Sequence, residues 1–495
     1  MTIISTGARS PRADTARPGS VLAAMSSCVI MAVSLVAAVN LAVPKLTAGS
    51  LHPSPSQLLW IVDSYVLVFA CLLISAGAAG DRFGRRRVLL AGLAVYTAGC
   101  VVAALAPAVP VLVAGRVVTG VGAALVMPAT LSMSLQAAPP ERRAHTIAVW
   151  TAATGAAGIV GNLAGGLVLQ YLPWQGLFWV MAPVALALLA LAARVAPRHG
   201  APSAAGGAAG RLDPAGSALL VLAFAALLTG IIEGQERGWR DALVLGAFVL
   251  AVVAFACFAW YALRAAHPVI DPRVFASRAV AAGVLGVTVT FFGLFALFFV
   301  NAQYLQYAKG FSPLVTGVAV GPLAVGMLVV SRISPALVRR HGSRPVVAAG
   351  AALLVLGLWL LSYADAAMPY AVYAVVLVAM AAGMGLSLPA LSTSILNGLP
   401  AASAGAGSGL NGAAREVGSA FGVAVFGTLL AGRMAAYAPG RSLRSLAEQG
   451  TDARLVAAFT HAASDGFRVV AVVVAVLAVV VVSLYPSSGG RLSGR

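Results

Sequence analysis

The feature that most limits this chain is a repeated run of about twenty apolar residues, the length a helix needs to cross a bilayer core roughly 30 Å thick. Fourteen such runs lie between charged or Pro/Gly-rich breaks, at 21–43, 57–79, 88–106, 110–133, 145–171, 175–194, 214–233, 242–263, 279–305, 314–334, 345–364, 369–396, 408–431 and 467–486. Lipid offers no partner to a backbone N–H or C=O, so each run must satisfy its own hydrogen bonds and is predicted to be helical. With 60% hydrophobic residues, 9% charged residues and a mean hydropathy of +0.95, the chain has too little charge to cover a water-facing surface. The expected fold class is an all-α polytopic membrane protein with 14 transmembrane helices.

The net charge is +18. A basic chain can bind nucleic acid, but these arginines form short clusters between apolar runs rather than one polar domain. With the N-terminus in the cytoplasm and sides alternating, 21 Lys and Arg fall on the cytoplasmic side and 9 outside, leaving Arg116 and Arg415 within spans. That asymmetry follows the positive-inside rule. It predicts a bacterial inner-membrane protein with both termini cytoplasmic and no nucleic-acid partner. The first apolar run is longer than the core of a signal peptide. The predicted organisation is an N-tail (1–20), a six-helix bundle (21–194), a linker (195–213), two inserted helices (214–263), a second linker (264–278), a second six-helix bundle (279–486) and a C-tail (487–495). An extracellular loop is expected at 432–466.

Cys28, Cys71, Cys100 and Cys257 lie in apolar runs without metal-ligand spacing and read as small packing residues. The sequence contains no phosphate-binding loop, metal-ligand cluster or nucleophile elbow, so neither enzyme activity nor a cofactor is expected. One internal repeat is visible. Gly80-Asp81-Arg82-Phe83-Gly84-Arg85-Arg86 follows the second run, and Val338-Arg339-Arg340-His341-Gly342-Ser343-Arg344 follows the tenth, 258 residues later. This spacing suits two six-span halves with two spans inserted between them.

The segment Gly77-Ala78-Ala79-Gly80-Asp81-Arg82-Phe83-Gly84-Arg85-Arg86-Arg87 resembles the GxLaDrxGrkxx loop of the major facilitator superfamily. Trp60-Ile61-Val62-Asp63-Ser64-Tyr65 resembles the WIVDxY of its fourteen-span drug:proton antiporters. Arg116-Val117-Val118-Thr119-Gly120-Val121-Gly122 resembles their RxxxGxG. Tyr304-Leu305-Gln306 through Ser312-Pro313-Leu314 resembles YLQxxxGxSPL, and Gly407-Ser408-Gly409 through Arg415-Glu416-Val417-Gly418 resembles GSG…RxxG. The resemblance implies a 6 + 2 + 6 major facilitator fold and proton-coupled efflux of hydrophobic, often cationic, drugs by a monomer. It also implies a conformational latch built from Gly77, Gly80, Asp81, Arg82, Gly84, Arg85 and Arg86. Two positions depart from the pattern. Leu35 stands where the family often has a span-one Asp. Asn162 replaces the proline of the span-five GPxxGG motif, here Gly158, Gly161, Asn162, Gly165 and Gly166. These glycines suit either close helix packing or a hinge.

Of fourteen acidic residues, only Asp63 and Glu416 lie inside apolar runs. A charge at a helix centre costs on the order of 2.5–3.5 kcal/mol on insertion scales, so it is kept for a partner or a function. Asp63 is the first candidate for proton coupling and cation sensing, with Trp60 one turn away to stack on a lipophilic cation. The alternative is a structural ion pair with Arg116. Arg116 is always charged and is expected either to tune a carboxylate or to pair with one. Glu416 adjoins Arg415, which suits a charge pair as well as a transport role. Asn40, Tyr65, Asn301, Gln303, Gln306 and Asn411 are candidates to line a cavity, and each also suits helix–helix contact. The expected partners are protons, a hydrophobic small molecule and the bilayer. A dedicated exporter of one antibiotic, or a non-transporting sensor, are the alternatives.

Overall fold

A computed structural model describes residues 18–196, 213–266, 268–399, 404–439 and 452–485. Fourteen helices in it are long and apolar enough to span a membrane. They are α1 (Pro18–Leu41), α2 (Pro55–Phe83), α3 (Arg85–Ala104), α4 (Val109–Ala137), α5 (Arg143–Tyr171), α6 (Gln175–Val195), α7 (Pro214–Arg237), α8 (Ala242–Ala262), α9 (Arg278–Gln303), α10 (Pro313–His341, broken at Val320), α11 (Ser343–Leu361), α12 (Tyr370–Asn397), α13 (Ala404–Tyr437) and α14 (Ala453–Leu484). Each overlaps one predicted run. Strands are absent among the described residues.

Several helices outrun their apolar cores. At 29 residues, α2, α4 and α5 are about 43 Å long, against about 30 Å of hydrocarbon. The same effect corrects the expected loop at 432–466. Helix α13 continues to Tyr437 and α14 already begins at Ala453. Charge does not end these helices, because Asp465 of α14 gathers the polar groups of both. It accepts a hydrogen bond from Tyr437 (2.9 Å), and Arg433 and Arg468 approach it at 3.5 and 3.7 Å. Residues 440–451 of that segment lie outside the described residues, as do the N-tail to residue 17, most of the 195–213 linker and the C-tail.

The internal repeat is more extensive in three dimensions than in the sequence. Gly84 alone joins α2 to α3 with φ +93°, and Gly342 alone joins α10 to α11 with φ +86°. Only glycine adopts such a backbone without strain. Each caps the helix before it, its N–H donating to the carbonyl four residues back (Gly80, Val338). Ser54 caps α2 and Ser312 caps α10, each followed by proline and each accepting from the backbone N–H three residues on. Gly92 and Gly99 of α3 pack closely on α4, and Gly350 and Gly357 of α11 pack closely on α12. All these pairs share the 258-residue offset. The chain is therefore two related halves, α1–α6 and α9–α14.

The inserted helices α7 and α8 pack on each other, and α7 lies against both α2 and α13, along the line where the halves meet. It is pinned at both ends. Glu236 accepts hydrogen bonds from Ser56 N–H and Oγ (both 2.9 Å) and from Ser54 Oγ (3.2 Å), placing a carboxylate at the N-terminus of α2. At its other end buried Asp213 accepts from Gly216 N–H (2.8 Å), Tyr261 Oη (2.7 Å) and Val269 N–H (3.0 Å), tying α7 to α8 and to the segment that leads to α9. Asp213→Ala strands three buried or half-buried donors. It is expected to cost about 3 kcal/mol locally and to raise the rate of limited proteolysis within 264–277. An unchanged cleavage rate would show that Asp213 does not hold this segment.

Candidate coupling site

Four helices of the first half build the site. Gly120 of α4 rests on the Tyr65 carbonyl of α2, where a Cβ would come within 2.8 Å. Gly122, two residues on, rests on the Tyr96 backbone of α3, where a Cβ would come within 2.5 Å. The spacing in RxxxGxG thus has a physical reading. Gly120 lies one turn from Arg116 and lets α4 approach α2, while Gly122 faces another way and admits α3. That closeness allows Arg116 to reach across.

Arg116 is fully buried. Its Nε–H donates to the Ile61 carbonyl (2.9 Å) and Nη2 to the Val62 carbonyl (3.2 Å), both on α2. Its guanidinium lies 4.6 Å from the centre of the Tyr65 ring. Tyr65 Oη donates to the Ala32 carbonyl of α1 (2.7 Å), and Tyr96 Oη to that of Met31 (3.4 Å). Asp63 is equally buried, yet neither carboxylate oxygen has a hydrogen-bond partner, and Arg116 Nη1 is also unpartnered. The expected Asp63–Arg116 ion pair is therefore not formed. Arg116 is held by backbone carbonyls and an aromatic face, within electrostatic reach of Asp63.

Glu416 of α13 brings the second half to the same place. It is half-buried and near enough to act electrostatically on Tyr65. The expected pair with Arg415 is also absent among the described residues. Arg415 instead stacks over Phe291 of α9 at 4.7 Å, leaving its Nε unpartnered. Trp60 does not share the Asp63 site. Its indole N–H points to α7 and donates to Glu233 (3.3 Å), which also pairs with Arg237. The insertion claims a side chain that helical spacing alone assigned to Asp63.

The remaining candidates divide between the two ends of the bundle. At the Lys45 end, Tyr304–Ala308 winds as a wider π-helical turn that continues α9. Gln306 Nε2 on this turn donates to the Leu41 carbonyl (3.2 Å), and Tyr307 Oη meets Thr47 Oγ1 (3.1 Å), so both cross between halves. Asn40 Nδ2 turns back to the Val36 carbonyl (3.0 Å) and leaves its Oδ1 buried and unpartnered. Gln303 does the same with Phe299. Asn301 accepts from Tyr373 of α12 (2.6 Å). Lys45 donates to the Leu172 carbonyl and Lys309 to those of Ala366 and Met368; partial burial lowers the pKa of both ammonium groups.

The span-five glycines are packing sites at this end. Gly161 lies on Ser34 and Gly165 on Ala38, both of α1, while Gly166 meets Pro313 of α10. Asn162 Nδ2 binds the Gly158 carbonyl (2.8 Å), and the Asn162 carbonyl faces Gly317 of α10 so closely that a Cβ there would come within 2.3 Å. Gly317, Thr47 and Tyr307 were not legible as interface residues. Gly158, by contrast, has open space where its Cβ would be.

At the opposite end the latch residues bond only within the first half. Asp81 pairs with Arg85 (2.9 Å), Arg86 Nη2 donates to the Ala193 carbonyl of α6 (2.6 Å), and Arg82 lies 5.4 Å from the Phe83 ring centre. Gly80 packs beside Arg85, and Gly77 beside Pro128 of α4. Asn411 there accepts from Ser392 within the second half (3.1 Å). The α2–α13 seam runs nearly the whole depth, from Gly427 on Leu59 to Gly412 on Leu73. The close glycine contacts of α5 with α10 are confined to the Lys45 end.

Two repeated six-helix halves, with polar ties between them at one end and a desolvated carboxylate and arginine between helices, define a membrane transporter. The chain belongs to the Major Facilitator Superfamily, whose family model matches residues 22–423. It is 31% identical over 402 residues to the multidrug resistance protein Stp of Mycobacterium tuberculosis, covering 80% of this chain and 73% of that one. It is 32% identical over 425 residues to the tetracenomycin C resistance and export protein of Streptomyces glaucescens, covering 84% and 77%. In fold it matches the E. coli xylose transporter XylE with a TM-score of 0.60 at 15% identity, over 96% of this chain and 99% of that one.

Proposed function

We propose that this protein exports hydrophobic, often cationic, drugs or antibiotics in exchange for protons, acting as a monomer with both termini in the cytoplasm. The observation that carries the coupling is Asp63, a buried carboxylate whose two oxygens have no partner beside an arginine engaged elsewhere. Protonation can discharge Asp63 but not Arg116. Arg116 sits against α2, and Tyr65 links α2 to α1, so gaining or losing a proton at Asp63 alters the balance of charge among the helices that move. Glu416 supplies a second carboxylate from the other half. The Lys45-end ties, Gln306 to Leu41 and Tyr307 to Thr47, hold the external side shut. The Asp81 turn, bonded only within its half, leaves the cytoplasmic side free to open and admit drug. Proton entry from outside then accompanies drug release as the halves rock.

The purified protein in liposomes provides the test. An imposed pH step should drive a lipophilic cation such as ethidium uphill, and collapsing the step with an ionophore should abolish movement at once. Uphill transport that persists after collapse would end the proton-exchange reading, and no movement of any of a panel of dyes and antibiotics would end the export reading. The likeness to a tetracenomycin C exporter favours a narrower second reading, one antibiotic only. Resistance confined to a single compound in a pump-deficient strain would select it.

A further inference from the structure

A groove of about 440 Å³ opens on the outer face of the second half, between α11 and α14. Its walls are largely alanine, among them Ala348 and Ala351 from α11 and Ala475 and Ala478 from α14. Small side chains on both helices leave a slot where longer ones would interdigitate. Arg344 stands at its mouth, at the Asp81 end of the bundle, beside Ser483. From Arg344 to Val355 the groove follows α11 for about 16 Å. That is about half of a roughly 30 Å core, the depth of one leaflet.

The mouth is basic. Arg344 is exposed, and among the described residues no carboxylate pairs with it. The last turn of α10, one residue before α11, adds Arg339, Arg340 and His341. Apolar walls of one-leaflet depth below a cluster of arginines match one chemistry, an acyl chain joined to an anionic headgroup. A lipophilic cation would find the same walls but would be repelled at the mouth.

We propose that this groove binds an anionic phospholipid of the leaflet at the Asp81 end, with one acyl chain along the alanine walls and the headgroup phosphate on Arg344. The site is separate from the coupling site, since no residue of α2 or α4 lines it.

Full-length protein in detergent, titrated with phosphatidylglycerol or with phosphatidylcholine and read by native mass spectrometry, tests this. Phosphatidylglycerol is expected to bind about fivefold more tightly, the gain one arginine supplies at an anionic surface. Arg344→Gln should bring the two lipids to equal affinity. Ala478→Phe, which fills the slot, should lower occupancy by both, and Ala478→Val is the milder variant should the first fail to fold. Inorganic phosphate should not compete, because it lacks the chain. A phosphatidylglycerol preference unchanged in Arg344→Gln would overturn the proposal. So would lipid occupancy unchanged in the filled variants, or a dimer that Ala478→Phe converts to monomer, which would make a second copy the occupant.

Discussion

Asp63→Asn should insert and fold at normal yield and lose uphill drug transport. The substitution is nearly isosteric, and the carboxylate it replaces makes no hydrogen bond that folding would miss. What it removes is the ability to change charge. A pH step of about 2 units supplies roughly 2.7 kcal/mol per proton, enough to sustain about a hundredfold drug gradient at one proton per drug. In the wild-type protein that step should drive accumulation, whereas in Asp63→Asn the ratio of drug across the membrane should fall to about one. Downhill exchange of labelled for unlabelled drug should survive, because the halves can still rock. Uphill transport at the wild-type rate would remove Asp63 from the coupling step and direct attention to Glu416. Loss of both uphill and downhill movement would instead assign Asp63 to substrate binding or to folding.

Gly317→Val should stop transport by a different route. Any Cβ at 317 meets the Asn162 carbonyl at 2.3 Å, a backbone atom that cannot rotate away. The contact joins α5 of one half to α10 of the other, so the clash can be relieved by separating the halves instead of unfolding either one. An overpacking cost of about 2 kcal/mol would shift the equilibrium away from the state closed at the Lys45 end by roughly thirtyfold. Transport should drop more than tenfold at normal expression. A single cysteine near the Thr47–Tyr307 contact should become accessible to a membrane-impermeant thiol reagent. Wild-type transport in Gly317→Val, or an unfolded protein, would show that this contact does not gate the pump.

The two changes test separate parts of one cycle. Asp63 lies wholly within the first half, next to an arginine fixed by the carbonyls of Ile61 and Val62. Gly317 lies between the halves. Loss of uphill but not downhill movement in the first, and loss of both in the second, would separate energy coupling from the rocking motion.

The sequence by itself determined the membrane, the fourteen helices, the two-half plan and the family. These follow from the local cost of exposing backbone polar groups to lipid and from motifs read over a few consecutive residues. The repeat was legible at Asp81 and Arg339, but its glycine and serine caps became evident as a set only when Gly84 and Gly342, and Ser54 and Ser312, took the same places in space. The sequence also determined that Asp63 and Arg116 had to be exceptional, since an intramembrane charge is too costly to be incidental. Tertiary structure alone decided what each one faces. Helical spacing put Trp60 beside Asp63, but α7, more than 150 residues later, presents Glu233 and takes the indole. Opposite charge suggested Asp63 for Arg116, yet the guanidinium reaches the carbonyls of α2 first, because Gly120 brings that backbone within range. The latch arginines were plain in the chain, but whether they bridge the halves depends on how the halves are tilted, and here their bonds stay within one. Partner choice is set by which helix surfaces are brought within about 3 Å, and no local pattern records that distance.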